Sequence, residues 1–196
     1  EDVEANLHAG RFGMVDETGD FMNAAMREGE ARGEGLGEAY GRALAESGPP
    51  HAAFSLLASA WRLGIPATVH VAIGTDTIHH HPGCDGAAPG STSLRDFRIF
   101  AATLAEARDA VVLNLGSAVL MPEVFLKALS VARNLGAELT GLTTANFDQI
   151  QHYRPRVNVV ERPTRSAGGH GYSLTGQHEI LVPLFSAGVL AELSPA

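Results

Sequence analysis

DAVVLNLGSAVLMPEVFLKALSVARNLG, residues 109–136, decides the fold class. Its first eight residues are an apolar run around a single Asn that stops at Gly116, the pattern of a strand buried in a parallel sheet. The small-residue turn GSAV then leads into a helix whose first turn holds Pro122 and Glu123. Apolar residues at helical spacing follow, and Gly136 stops the helix. A strand that turns directly into a helix is the first half of a βαβ unit.

The pattern repeats on both sides. Downstream, ELTGLTTANF (138–147) reads as the next strand. The stretch 152–171, HYRPRVNVVERPTRSAGGHG, reads as mostly loop, and 176–193, GQHEILVPLFSAGVLAEL, as an apolar closing helix. Upstream, SLRDFRIFAATLAEA (93–107) predicts a helix capped by Ser91 or Ser93. ATVHVAIG (67–74) alternates like a strand, and HAAFSLLASAWRLG (51–64) predicts a helix with a Gly64 stop. Residues 1–50 are glycine-rich, with short helices expected at FMNAAMREGEA (21–31) and GEAYGRALAE (37–46), the second ended by SGPP. The alternation predicts a single α/β domain with a mainly parallel sheet: residues 1–50 form a helical N-terminal segment and 51–196 the core. Ligands of such sheets bind outside the carboxyl ends of the strands. Loops 74–91, 115–122 and 144–156 are therefore expected to carry function.

Composition narrows the partners. A net charge of −8 opposes binding to nucleic acid or to an anionic membrane. The apolar runs are interrupted and too short to span a bilayer, and the acidic start EDVEANL lacks a signal-peptide core. With a single cysteine, the expectation is a cytoplasmic protein. Thirteen arginines accompany one lysine, Lys127.

The chemistry-bearing segment is TDTIHHHPGCDG, residues 75–86. An imidazole is the usual proton shuttle near neutral pH, so His79 and His81 are candidate acid/base groups, with Asp76 or Asp85 to orient them. In an extended chain His79 and His81 share a face, so the alternative is a metal site of His79 and His81 with Cys84 or Asp85. Asp76, Asp85, Asp96, Glu123 and Asp148 are candidate counter-ions for a cationic substrate, with strand-end Asp76 and Asp148 preferred. Arg154, Arg156, Arg162 and Arg165 are candidate holders of phosphate or carboxylate. The bland reading of these residues is a polar loop whose side chains cap strand and helix ends.

GIPATVHVAIGTD (64–76), VVLNLGSAV (111–119), NLGAELTGLTTANFD (134–148), HYRP (152–155) and EILVPLF (179–185) resemble, in order and spacing, the C-terminal two-thirds of deoxyhypusine synthase. The resemblance implies a Rossmann-like three-layer sandwich that binds NAD, and a homotetramer with sites at subunit interfaces. It also implies an amine or polyamine-like substrate and a transferase or other NAD-dependent reaction. Carried over by position, it places Asp76, Gly116, Ser117, Thr144 and Ala145 at the cofactor.

The departures bear on the chemistry. The family's reaction needs a lysine after its Arg-Pro pair to form an imine; here that region reads VVERPTR (159–165). Arginine cannot form that imine. PEVF (122–125) replaces the family's His-His pair, and one glycine remains in the turn. The family's N-terminal cofactor segments have no counterpart: the expectation is either that they belong to a preceding segment or a companion chain, or that the protein lacks half of the dinucleotide site. The expectation is thus a deoxyhypusine synthase-like protein that binds NAD and a small amine without a lysine imine, with His79, His81 and Asp85 as catalytic residues. Asp148 and Arg154 are expected to bind substrate. The alternatives are a metal-dependent hydrolase or lyase built on the histidine loop, and a non-catalytic scaffold.

Overall fold

The computed structural model describes residues 3–10, 16–165 and 168–193. The chain divides into two compact units, residues 1–99 and 100–196, with the boundary inside helix α5 (Ala87–Ala105).

The first unit is helical: α1 (Val3–His8), α2 (Asp16–Arg32), α3 (Leu36–Ser47) and α4 (Leu56–Leu63) precede α5. Ala25, Met26, Leu36, Tyr40, Ile78 and Ala88 form its core, with Val69 and Val71 packed against them. Glycines inside these helices mark close approaches: a Cβ at Gly41 would lie 2.6 Å from the Leu57 carbonyl oxygen. Gly48 and Gly64 end α3 and α4 in the left-handed conformation, where glycine carries no Cβ penalty.

The strand expected at 67–74 is not formed: residues 67–72 belong to no strand or helix and 73–74 to a turn. Side chains of α5 take the place of a neighbouring strand. The Val69 amide donates to Asp96 Oδ2 (2.7 Å), the Val71 amide to Ser93 Oγ (3.2 Å), and Ser93 Oγ donates to the Val69 carbonyl (3.1 Å). Helix α5 also begins at Ala87, so Ser91 and Ser93 lie inside it rather than at its cap, and Asp96 lies well past the first turn.

The second unit carries a three-stranded, all-parallel sheet in the order β1 (Val111–Leu115), β2 (Thr143–Asp148), β3 (His170–Thr175). Helix α6 (Leu120–Asn134) links β1 to β2 and buries Pro122, Phe125, Ala128, Leu129 and Ala132 at helical spacing. The expected loop between β2 and β3 is instead α7 (Tyr153–Pro155) running into a π-helical turn, Arg156–Glu161, before β3. The turn's 16-membered closure shows in the Arg162 amide donating to the Val157 carbonyl at 2.9 Å. Strand β2 is shorter than expected, since residues 138–142 stay outside it.

Register pairs Val111 with Thr143 and Thr143 with His170, so alternate residues share faces across the sheet. One face carries Asn114, Thr144, Asn146 and Gly171, and two of them meet the π turn: Thr144 Oγ1 donates to the Val159 carbonyl (2.7 Å), and a Cβ at Gly171 would collide with the Val160 carbonyl. The other carries Phe147, whose ring meets Phe185 of α8 (His178–Leu193) edge-on, centroids 5.5 Å apart. Among the described residues, no helix is long and apolar enough to cross a membrane.

Candidate functional site

At the carboxyl edge of the sheet, β1 is followed by Gly116, whose φ of +69° favours glycine. Its amide donates to the Phe147 carbonyl (3.0 Å), closing the ladder, and the chain then turns towards α6. Ser117 serves this turn: its hydroxyl accepts from the Met121 amide (3.2 Å) and its carbonyl accepts from Asn114 Nδ2 (3.0 Å). The hydroxyl stands in for a cap that Val119, at the N-cap position of α6, cannot supply.

A chain of amides that the sequence reading passed over runs across the ends of all three strands. Asn114 Nδ2 donates to Asn146 Oδ1 (2.6 Å), and Asn146 Nδ2 to Gln151 Oε1 (2.7 Å). Gln151 Nε2 then donates to the Leu174 carbonyl (3.1 Å) and Thr175 Oγ1 (3.2 Å). Asn146 is fully buried, so this chain satisfies polar groups that would otherwise be costly. The signal available for it was an Asn in each of two apolar strands at matching register.

Asp148 ends β2. Its Oδ1 accepts from the Gln149 (2.7 Å) and Ile150 (3.5 Å) amides. Thr144 and Ala145 sit earlier in the same strand, buried, with the Thr144 hydroxyl committed to the π turn. Arg154 is exposed and lies 3.4 Å from Glu123 Oε1, an oxygen that also accepts from Asn158 (2.9 Å). Lys127 is 3.5 Å from the other oxygen of Glu123. His178, also passed over, places Nε2 3.0 Å from the Phe147 carbonyl oxygen.

The histidine loop belongs to the first unit. Asp76 caps a 3₁₀ turn, Thr77–His80, accepting from the Ile78 amide (3.2 Å). His79 Nδ1 accepts from the Gly74 (3.2 Å) and Asp76 (3.3 Å) amides, which places the ring proton on Nε2; that nitrogen is buried without a partner. His81 Nδ1 accepts from the Gly83 amide (3.0 Å), and its Nε2 lies 3.8 Å from both Asp16 and Asp20. Asp85 Oδ1 accepts from the amide of Ala87, the first residue of α5 (3.0 Å).

Helix α2 clamps this loop along one stripe. Gly19 leaves room for the His81 ring, Asn23 Nδ2 donates to the Ile78 carbonyl (3.2 Å), and Arg27 donates to the Gly83 carbonyl (2.5 Å). Ile78 anchors the loop in the core. Each expected catalytic residue of this loop therefore has a local fastening. The alternative ligand trio His79, His81 and Cys84 is not assembled: among the described residues no group of three or more His, Cys, Asp or Glu is placed to hold a metal ion. Cys84 is a free thiol.

A separate cavity of about 340 Å³ in the first unit is lined by Trp61, Ile65, Pro66, Ile99, Glu38 and Asp96, among others. Asp96 is fully buried, and burial raises its carboxyl above the ordinary carboxylate range against the pull of the Val69, Gly37 and Leu36 amides. The chain matches no family model, no curated protein and no solved structure.

Proposed function

We propose that the second unit is a Rossmann-like mononucleotide-binding half and that the protein binds NAD at its carboxyl edge, as a deoxyhypusine synthase-like protein acting on a small amine. One observation carries the reading. Three parallel strands in sequential order are joined by helical crossovers, with a left-handed glycine at the end of the first and an aspartate at the end of the second. That is the arrangement in which dinucleotide folds take the pyrophosphate beside the first turn and the ribose diol on the acid.

The residues fit such a cofactor unequally. Gly116 leaves the turn without a side chain, and only one oxygen of Asp148 is engaged by backbone amides. The Ser117 and Thr144 hydroxyls are already committed, so they contribute shape rather than hydrogen bonds to a ligand. When bound, NAD would supply a hydride acceptor for the amine. The carboxylate of Asp148 would favour NAD over a cofactor bearing a 2′-phosphate, which it repels. Lys127 is exposed on α6 beside Glu123, so the reading routes no imine through the protein.

The test is native mass spectrometry of the intact chain with NAD and, separately, NADP added in a titration. One NAD per chain, with weaker NADP binding, supports the reading. No NAD adduct at millimolar cofactor would overturn it.

A further inference from the structure

All-parallel sheets occur almost only with both faces covered, because their strands are apolar on both sides. In the second unit one face is covered only in part. Register places Val111, Leu115, Phe147 and Tyr172 on the same face. Helix α8 meets that face over the middle strand, through Phe185 on Phe147, and buries Phe147 there. Val111 and Leu115 on one edge strand and Tyr172 on the other stay open. The helix is apolar between Glu179 and Glu192 and has no buried residue of its own. A helix apolar on every side is one that folding or assembly buries.

Area and charge say what covers this face. Val111, Leu115, Tyr172, Ile180, Leu184, Phe185, Val189 and Leu193 are between 39% and 75% exposed. Scaled by the area such side chains bury, they leave on the order of 500 Å² of apolar surface open. A stable dimer of standard size buries about 800 Å² per partner, a little over half of it apolar, so the face supplies what such a contact needs. The strand residues on this face include no Asp, Glu, Lys or Arg, and α8 has none between Glu179 and Glu192. In a chain with a net charge of −8, like-charge repulsion opposes contact between copies, and this face adds none of it. We infer that the face is an interface with a second copy of the chain. The copies meet about a two-fold axis, each α8 lying against the partner's α8 and the open flank of its sheet. The contact uses a face of the sheet and leaves its carboxyl edge to the cofactor.

Sedimentation equilibrium of the full chain from about 1 to 100 μM tests this. The wild type is expected at twice the 20.6 kDa chain mass. Leu184→Glu on α8 and Val111→Glu on β1 each put a carboxylate into the contact, and each is expected to weaken association at least about 100-fold. Both side chains are exposed in the single chain, so the variants are expected to keep the wild-type circular dichroism. Leu63→Glu, at an exposed position of α4, is the control that keeps the dimer. Hydrogen exchange of the wild type reads the same contact without a substitution, and the amides of α8 are expected to gain protection as concentration rises. A wild type that stays monomeric overturns the inference, as does α8 exchange that is independent of concentration. A dimer that survives both glutamate substitutions, or that Leu63→Glu abolishes, overturns it too.

Discussion

Asp96 caps a helix that it does not belong to. Gly35, the N-cap residue of α3, has no side chain to offer, and Asp96 of α5 supplies the missing carboxylate: its Oδ2 accepts from the Gly37 amide at 2.8 Å. Asp96 Oδ1 occupies the space that a Cβ on Gly35 would need. The same carboxylate accepts from Val69, so one buried group fixes α3, α5 and the segment around Val69 together. Asp96→Ala is expected to cost about 3 kcal/mol by chemical denaturation, since it leaves buried amides without an acceptor. Gly35→Ala is expected to cost about 1–3 kcal/mol through overpacking. Wild-type stability in both variants would contradict the shared-cap account.

The same group sets a pH dependence. Burial raises the folded-state carboxyl of Asp96 above its ordinary 3.8. The folded protein therefore binds the proton more tightly than the unfolded chain, and this contribution to stability is full below 3.8 and fades as pH rises through the folded value. Asp96→Asn keeps an acceptor oxygen and removes the titration. Its stability relative to wild type is expected to rise with pH from about 4 upwards and then level off. A difference independent of pH would contradict the assignment.

His70 acts with the opposite sign. Burial lowers its folded-state value below 6.5, so the neutral ring is favoured; Nε2 lies 3.0 Å from Thr68 Oγ1. The stability it contributes is present above 6.5 and is lost as pH falls through the folded value. His70→Gln is expected to flatten the acid limb of the stability–pH curve below 6.5, whatever its effect at pH 8. An unchanged limb would show that other groups set it.

The π turn is fastened to the sheet by two residues. Thr144→Val removes the donor to the buried Val159 carbonyl and is expected to cost about 1–3 kcal/mol. Gly171→Ala drives a methyl into the Val160 carbonyl and is expected to cost a similar amount, about 1–3 kcal/mol. Urea denaturation of each variant checks both values. Unchanged midpoints would mean that the turn is held elsewhere.

Local pattern explains which elements were legible. The β1–α6 unit could be read because a buried apolar strand, a glycine turn and a helical stripe are each encoded within a few residues. β3 was missed because HGYSLT is polar and largely exposed; its strand identity comes from pairing with β2, which no local pattern carries. The turn after Pro155 was missed because its arginines and prolines resemble loop composition. The strand expected at 67–74 was not formed, because Asp96 and Ser93 of a helix further along the chain, and not a neighbouring strand, take its Val69 and Val71 amides. Gly116, Ser117 and Asp148 were legible as strand-end residues. His178 and Gln151 were not, since their significance arises only when β2 and the following segments converge.

The central claim is that the carboxyl edge of the sheet holds NAD through Asp148, and calorimetric titration of NAD into the wild type and Asp148→Ala tests it most directly. The account expects one NAD per wild-type chain and, in the variant, an affinity about 10- to 100-fold weaker, the worth of a hydrogen bond to a charged group. Equal affinity in the two proteins, or no heat of binding in the wild type, would contradict it.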